Sequence, residues 1–100
     1  KGGFEMFSRK KNTGGVEGLK LSPSVSVIEG EQGTVLFDAR RGEYYQVNEL
    51  GLLIVRALAE GEDFASIVNR IVAAYEVTPQ TATEDVTNFL LQVKDLGVVE

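Results

Sequence analysis

The hydrophobic pattern of this chain changes once, at Asn48, and the change restricts the folds that the chain can adopt. Before Asn48, apolar and polar residues alternate in short runs between glycine-containing turns, which is typical of β-strands. After Asn48, apolar residues recur every three or four positions, which is typical of amphipathic helices. The chain has only 100 residues, so we predict one α+β domain with its strands first and its helices second.

Three strands are predicted in the first half: SVSVI at 24–28, TVLFD at 34–38 and EYYQV at 43–47. Because the connections EGEQG and ARRG are short and contain glycine, the strands should form an antiparallel meander. The third strand is then an edge of the sheet, and it has neither proline nor lysine to keep another strand away.

The two adjacent tyrosines of the third strand should point to opposite faces of the sheet, because successive side chains of a strand alternate. Tyr45 and Val47 are predicted to face the helices, and Tyr44 the outer face. An exposed tyrosine admits two interpretations, a chance surface aromatic or part of a surface that holds another chain. Which of Tyr44 and Gln46 directs its N–H outward depends on the register, which the sequence does not give.

Each of the three predicted helices begins at a favourable N-cap, namely Asn48, Asp63 or Thr78, and Pro79 stands at the first position of the third helix. Gly97 ends that helix, and the final VVE is a candidate for a short terminal strand. The arrangement favours a winged helix-turn-helix, with a three-stranded antiparallel sheet followed by three helices.

Charge divides the chain unevenly. Residues 1–20 carry five basic and two acidic groups, whereas residues 21–100 carry five basic and thirteen acidic groups. We predict that residues 1–20 are a flexible basic arm, or an added segment that is not native, and that residues 21–100 form the domain. An acidic domain repels nucleic acid, and no apolar run approaches the roughly 20 residues of a membrane span, so we expect neither partner and a cytoplasmic location.

Catalytic chemistry is not predicted. The chain has no cysteine and no histidine, which removes thiolate nucleophiles, most zinc sites and the commonest acid–base group. Glu60, Glu62 and Asp63 cluster at a helix junction but lack the spacing of a calcium-binding loop, so capping and solvation explain them better. We therefore expect no catalytic residues, no metal site and no cofactor, and the chain is not expected to be an enzyme.

Two stretches of the chain resemble a known family: VLFDARRGEYYQVNELGLLIVRALAEG, and ASIVNRIVAAYEVTPQTATEDVTNFLLQVKDLGVVE further on. They are similar to the PqqD family and to the related leader-binding proteins of lasso-peptide biosynthesis. The resemblance covers about residues 21–100, and YYQVNELG and LLQVKDLGVVE are its most specific parts. Val47 departs from the family, which usually has leucine before the asparagine.

The resemblance implies a RiPP recognition element, a domain that binds the leader of a ribosomally made precursor peptide. It implies that the leader adds as a strand to the third strand and packs against the third helix. The lasso type is favoured, with a separate leader peptidase and a cyclase as further partners. Carried over by position, the implied peptide-binding residues are Glu43, Tyr44, Tyr45, Gln46 and Val47 of the strand and Ala82, Asp85, Val86 and Phe89 of the helix.

Three alternatives stay open. The first is a winged-helix DNA-binding protein, which the charges of the third helix oppose, since phosphate contact needs a basic surface. The second is a peptide chaperone of the PQQ pathway. The third is a homodimer that pairs through its edge strands. The charged residues of the third helix are Glu84, Asp85, Lys94 and Asp95.

Overall fold

The computed structural model describes residues 15–100, and the predictions that concern residues 1–14 lie outside the described residues. The predicted order of three strands and three helices is confirmed, and the winged helix-turn-helix label describes it loosely. The elements are β1 (Val25–Gly30), β2 (Gly33–Asp38), β3 (Glu43–Gln46), α1 (Glu49–Ala59), α2 (Phe64–Tyr75) and α3 (Pro79–Asp95).

The strands form one antiparallel sheet in the order β1-β2-β3, so β3 is an edge strand as predicted. Leu36 in the middle strand pairs with Val27 on one side and with Tyr45 on the other. The β2–β3 turn contains Gly42 at φ +69°, a left-handed conformation that glycine adopts without steric cost. This register puts Leu36 and Tyr45 on the face that the helices cover.

The three predicted N-caps are confirmed. Asn48 Oδ1 accepts the N–H of Gly51 at 2.8 Å, and Asp63 Oδ1 accepts the N–H of Ser66 at 2.9 Å. Thr78 caps α3 in the same way, and Pro79 follows it. Each cap satisfies a backbone donor that a helix cannot satisfy internally, so these side chains fix where the helices begin.

The hydrophobic core lies between the inner face of the sheet and the three helices. The largest fully buried apolar side chains come from β2 and from every helix. This shared burial holds the sheet against the helices, since a buried leucine or isoleucine contributes roughly 1.5–3 kcal/mol. These side chains are Leu36, Ile54, Ile67, Ile71 and Leu90.

The packed domain extends further toward the N terminus than residue 21. Val16 is only 1% exposed, and Leu19 packs against the same core. Lys20 and Glu100 exchange two backbone hydrogen bonds of 2.8 Å, and Leu21 forms a bridge with Val99. The last residues of the predicted arm are therefore part of the fold, because they bury apolar side chains and pair with the C-terminal segment.

Candidate functional site

The register determines which backbone groups of β3 have no strand partner within residues 15–100. The N–H of Ala39 donates to the carbonyl of Ser24 at 2.9 Å, so odd-numbered residues of β2 direct their backbone groups toward β1. Leu36 then directs its groups toward β3, where it meets Tyr45. By the same alternation, Tyr44 and Gln46 both direct their N–H and C=O groups away from the sheet. The two residues are two positions apart, so they cannot differ in this respect.

A groove of about 400 Å³ lies between β3 and the C-terminal half of α3, and we call it the β3–α3 groove. All of its lining residues are uncharged, and most are apolar, which favours apolar side chains as occupants. The lining residues are Leu36, Tyr44, Tyr45, Gln46, Val47 and Asn48 from the sheet side, and Phe89, Gln92, Val93, Leu96 and Val98 from the other side.

The two tyrosines lie on opposite faces, as predicted. Tyr45 and Val47 are half-buried and pack against the core. Tyr44 is 64% exposed, and its ring centroid lies 4.6 Å from that of Phe37 on the outer face. Such a contact stabilises an aromatic pair by roughly 0.5–1.5 kcal/mol. Tyr44 thus has a local packing partner and still borders the β3–α3 groove.

The residues expected to bind peptide do not all meet at the groove. Tyr44, Tyr45, Gln46, Val47 and Phe89 line it.

The other four residues lie elsewhere. Ala82 and Val86 are 0% exposed in the core, so they cannot contact a ligand in this conformation. Glu43 is exposed at the start of β3, and Asp85 is half-buried on the N-terminal half of α3. Neither Glu43 nor Asp85 is part of the groove lining.

The helix side of the groove includes residues that the sequence did not identify. Gln92 and Val93 follow Phe89 by three and four positions and share its face of α3, and Leu96, the C-cap residue seven positions after Phe89, continues that face. That spacing is visible in the sequence. What the spacing does not tell is which part of the stripe borders the strand and which part the other helices cover.

At one end of the groove, Phe89 contacts the first turn of α1. A Cβ built on Gly51 would lie 2.6 Å from Cε1 of Phe89 and 3.1 Å from its Cζ. Only glycine leaves room for the ring in this position. The glycine of YYQVNELG therefore determines where the phenyl ring stands in the groove.

At the other end, the β2–β3 turn contacts the end of α3 through Arg41, whose Nη1 donates to the carbonyl of Leu96. Asp38 supports this turn from inside: it is 0% exposed, and its Oδ1 accepts from the Ser24 hydroxyl at 2.8 Å and from the N–H of Arg40 at 3.0 Å. The Ser24 hydrogen bond is the main cause that lowers the pKa of Asp38. The backbone N–H groups of Arg40 and Arg41 and the Arg41 charge act in the same direction, while burial opposes them.

The acidic cluster at the α1–α2 junction is occupied by structural contacts. Asp63 caps α2, and Arg70 Nε donates to Glu62 at 2.8 Å. Arg70 also pairs with Glu60 at 3.3 Å. Within residues 15–100, no group of three or more acidic side chains could hold a metal ion, and no helix of that range is long and apolar enough to cross a membrane.

A free strand edge beside an apolar groove is the geometry with which small domains add an extended peptide to their sheet. Residues 33–99 match the model of a family described as coenzyme PQQ synthesis protein D (PqqD). The match covers most of the chain, so the chain belongs to the PqqD family.

Two solved structures are similar to this chain. A lasso peptide synthetase B1 complexed with the leader peptide is 33% identical, with a TM-score of 0.73 over 82% of this chain and 96% of that one. TbiB1 in complex with the TbiA(beta) leader peptide is 28% identical, with a TM-score of 0.75 over 81% of this chain and 94% of that one. No curated protein matches the chain.

Proposed function

We propose that this chain binds the leader segment of a ribosomally made precursor peptide, and that the leader pairs with β3 as a fourth strand. The observation that carries the proposal is the free edge of β3 beside an uncharged groove, in a chain of the PqqD family. Both similar structures are complexes with leader peptides, which supports a leader as the occupant rather than another extended chain.

The register gives the pairing a definite form. The leader backbone would exchange hydrogen bonds with Tyr44 and Gln46, whose backbone groups point outward. The leader residue opposite Tyr45 would direct its side chain into the groove, because directly paired residues lie on the same face of a sheet. Its two neighbours would point to the outer face, one beside Tyr44. Backbone bonds then supply affinity, and alternate side chains supply specificity.

The role we propose for the chain is that of a binding module without chemistry of its own. It would hold the precursor by its leader and deliver it to a separate leader peptidase and then to a cyclase. The names of the two similar structures favour a lasso peptide over a product of the PQQ pathway as the outcome.

DNA binding is the less favoured function. Glu84 and Asp95 are exposed on α3, against one exposed lysine, Lys94. Phosphate contact needs the opposite balance of charge on the helix that approaches DNA. An electrophoretic shift with random duplex DNA at low salt checks this point, and tight, salt-sensitive binding would contradict the proposal.

Proline at Gln46 tests the strand addition. Gln46→Pro removes an outward N–H and places a ring against the incoming strand, while the bonds between β2 and β3 remain. We expect the full chain to fold, by circular dichroism, and to bind a fluorescein-labelled leader at least tenfold more weakly, a loss of about 1.4 kcal/mol. Two labelled leaders serve as probes: the TbiA(beta) leader, and the leader of any short precursor gene that sequencing finds next to the gene of this chain.

Glu29→Pro is the matched control. Glu29 also has an outward N–H, but on the opposite edge of the sheet, in β1. This variant should bind the leader as the wild type does. If Gln46→Pro folds and binds equally well, the leader does not add to β3, and the groove has another role.

A further inference from the structure

The β2–β3 turn closes one end of the groove through contacts that we call the turn clamp: Arg41, Leu96 and Gly97. The Arg41 guanidinium donates to the Leu96 carbonyl and lies directly against Gly97. A Cβ on Gly97 would come within 2.6 Å of Arg41 Cζ and 2.7 Å of Nη2. Gly97 has a φ of +83°, a left-handed conformation that disfavours any residue with a side chain.

The carbonyl that Arg41 binds is one that α3 leaves free. The last carbonyls of a helix have no partner inside it, and they form the negative end of its dipole. A guanidinium suits this place because it is always charged and offers several donors in one plane. The Arg41 contact is thus a specific attachment of the turn to the end of α3.

The turn that presents Arg41 is itself held in place. The Gly42 N–H donates to the Asp38 carbonyl at 2.7 Å, and the Asp38 carboxylate accepts from Ser24 and from the N–H of Arg40. Asp38 is buried and its two carboxylate hydrogen bonds are part-buried, so they are partly shielded from water. Arg41 therefore projects from a backbone that is fixed from behind.

Leu96 belongs both to the clamp and to the groove. Its side chain is 41% exposed and lines the β3–α3 groove, while its carbonyl is held by Arg41. The opposite wall, β3, continues directly from the turn that carries Arg41. The clamp consequently joins the two walls of the groove at one end.

We propose that Arg41 is a positioning residue for leader binding: through the Leu96 carbonyl it sets the separation of β3 and α3 before the leader arrives. The proposal rests on the proposed function. Arg41 lies outside the groove lining, so it acts on the walls and not on the leader. If the groove is already open in most molecules, the leader associates faster, because a larger fraction of the protein is in the binding-competent conformation.

Arg41→Ala in the full chain tests the proposal by stopped-flow anisotropy, with the labelled leader that the wild type binds. If the competent conformation falls to about one molecule in ten, the association rate falls about tenfold, with little change in the dissociation rate. The thermal midpoint should fall by only a few degrees, because the lost hydrogen bond is exposed. Arg41→Lys retains the charge and can still donate a hydrogen bond, but it lacks the planar guanidinium, so it should recover part of the rate.

Arg56→Ala is the control. Arg56 is also exposed and paired, with Glu29, but it lies outside the groove. This variant should bind at the wild-type rate.

Three results would overturn the proposal. The first is that Arg41→Ala associates with the leader at the wild-type rate. The second is that Arg56→Ala loses as much of its association rate as Arg41→Ala, which would indicate a general effect of charge. The third is that the association rate of Arg41→Ala falls no more than its folded fraction does. If the wild type binds neither leader, the proposed function itself fails, which is a different result from an unaffected Arg41 variant.

Discussion

An alanine in place of Gly51 would collide with the ring of Phe89. Its Cβ would lie 2.6 Å from Cε1 and 3.1 Å from Cζ of that ring, and 3.3 Å from Oδ1 of Asn48. Non-bonded carbon atoms prefer about 3.5–4.0 Å, so the ring must move by about 1 Å. Asn48 cannot give way, because the same Oδ1 caps α1. Since Phe89 lines the β3–α3 groove, the movement also changes the groove.

Two effects of opposite sign determine the stability of Gly51→Ala. Alanine is favoured over glycine in a helix by up to about 1 kcal/mol. Overpacking costs about 1–3 kcal/mol where side chains must leave their preferred positions. We expect overpacking to dominate, with a net fall in the free energy of unfolding of about 1 kcal/mol and a several-fold loss of leader affinity.

A double-mutant cycle with Phe89→Leu isolates the contact, because leucine lacks the ring atoms that alanine would meet. Urea unfolding of the four proteins should show that Gly51→Ala costs much less in the Phe89→Leu background, with a coupling of about 1–3 kcal/mol. Gly15→Ala is the control: Gly15 has ordinary φ, and its Cβ would meet nothing within 4 Å.

Two outcomes would refute this reasoning. One is a Gly51→Ala protein that is about 1 kcal/mol more stable than the wild type and binds the leader equally well, which is the result of helix propensity alone. The other is a cycle that is additive within about 0.5 kcal/mol, which would mean that position 51 and the ring do not interact.

Two further substitutions test the faces of β3 and the support of the turn. Tyr45→Ala should lower the free energy of unfolding by roughly 2 kcal/mol. This is about half the cost for a fully buried aromatic, because Tyr45 is only half-buried. Urea unfolding should show a smaller effect for Tyr44→Ala, because Tyr44 is exposed. Asp38→Asn should destabilise the domain at neutral pH, because the pKa of Asp38 is lower in the folded protein than in the unfolded one. The contribution of the Asp38 charge to the free energy of unfolding is present above the unfolded pKa of about 3.9. It is lost as the pH falls through the folded pKa. Urea unfolding at pH 7 and at pH 3 should therefore show the difference from the wild type shrinking in acid, and a constant difference would contradict the role of the charge.

Local signals in the sequence were sufficient for the elements and their order. Asn48, Asp63 and Thr78 cap helices because each bonds a backbone group three residues away, a contact that needs no tertiary structure. The inward face of β3 also followed from the sequence, because alternation and the apolar pair Tyr45 and Val47 leave one choice.

The helix side of the groove could not be predicted in the same way. One apolar stripe runs along α3 from Ala82 through Val86 and Phe89 to Val93, and Leu96 at the C-cap continues it. Its period shows that these residues share a face. It does not show which of them the other helices bury. The structure buries Ala82 and Val86 in the core, whereas Phe89, Val93 and Leu96 border the groove, although Val93 itself is only 5% exposed. This boundary depends on how α3 crosses the sheet, which is a property of packing and not of period.

The residues of β3 that direct their N–H groups outward could not be predicted from the sequence for a related reason. Whether Tyr44 or Tyr45 bonds to β2 depends on the register, and the β2–β3 register follows from the conformation of the turn. That turn is held in part by Asp38, which accepts from the N–H of Arg40 within the turn and from the hydroxyl of Ser24, the residue before β1. Sequence patterns within one strand carry no information about such contacts.

The free edge of β3 raises the question of why it would hold a leader and not a second copy of this chain. An unprotected edge pairs readily with any extended strand. Two copies would, however, bring together two bodies that each carry thirteen acidic and five basic groups over residues 21–100. Like charges at that density oppose association, most strongly at low salt. α3 also stands beside the edge and leaves a groove whose lining suits alternate apolar side chains. A neutral or basic peptide is not repelled by the acidic domain, and its alternate apolar side chains can enter the groove. Charge and shape together therefore favour a leader over self-pairing at the same edge.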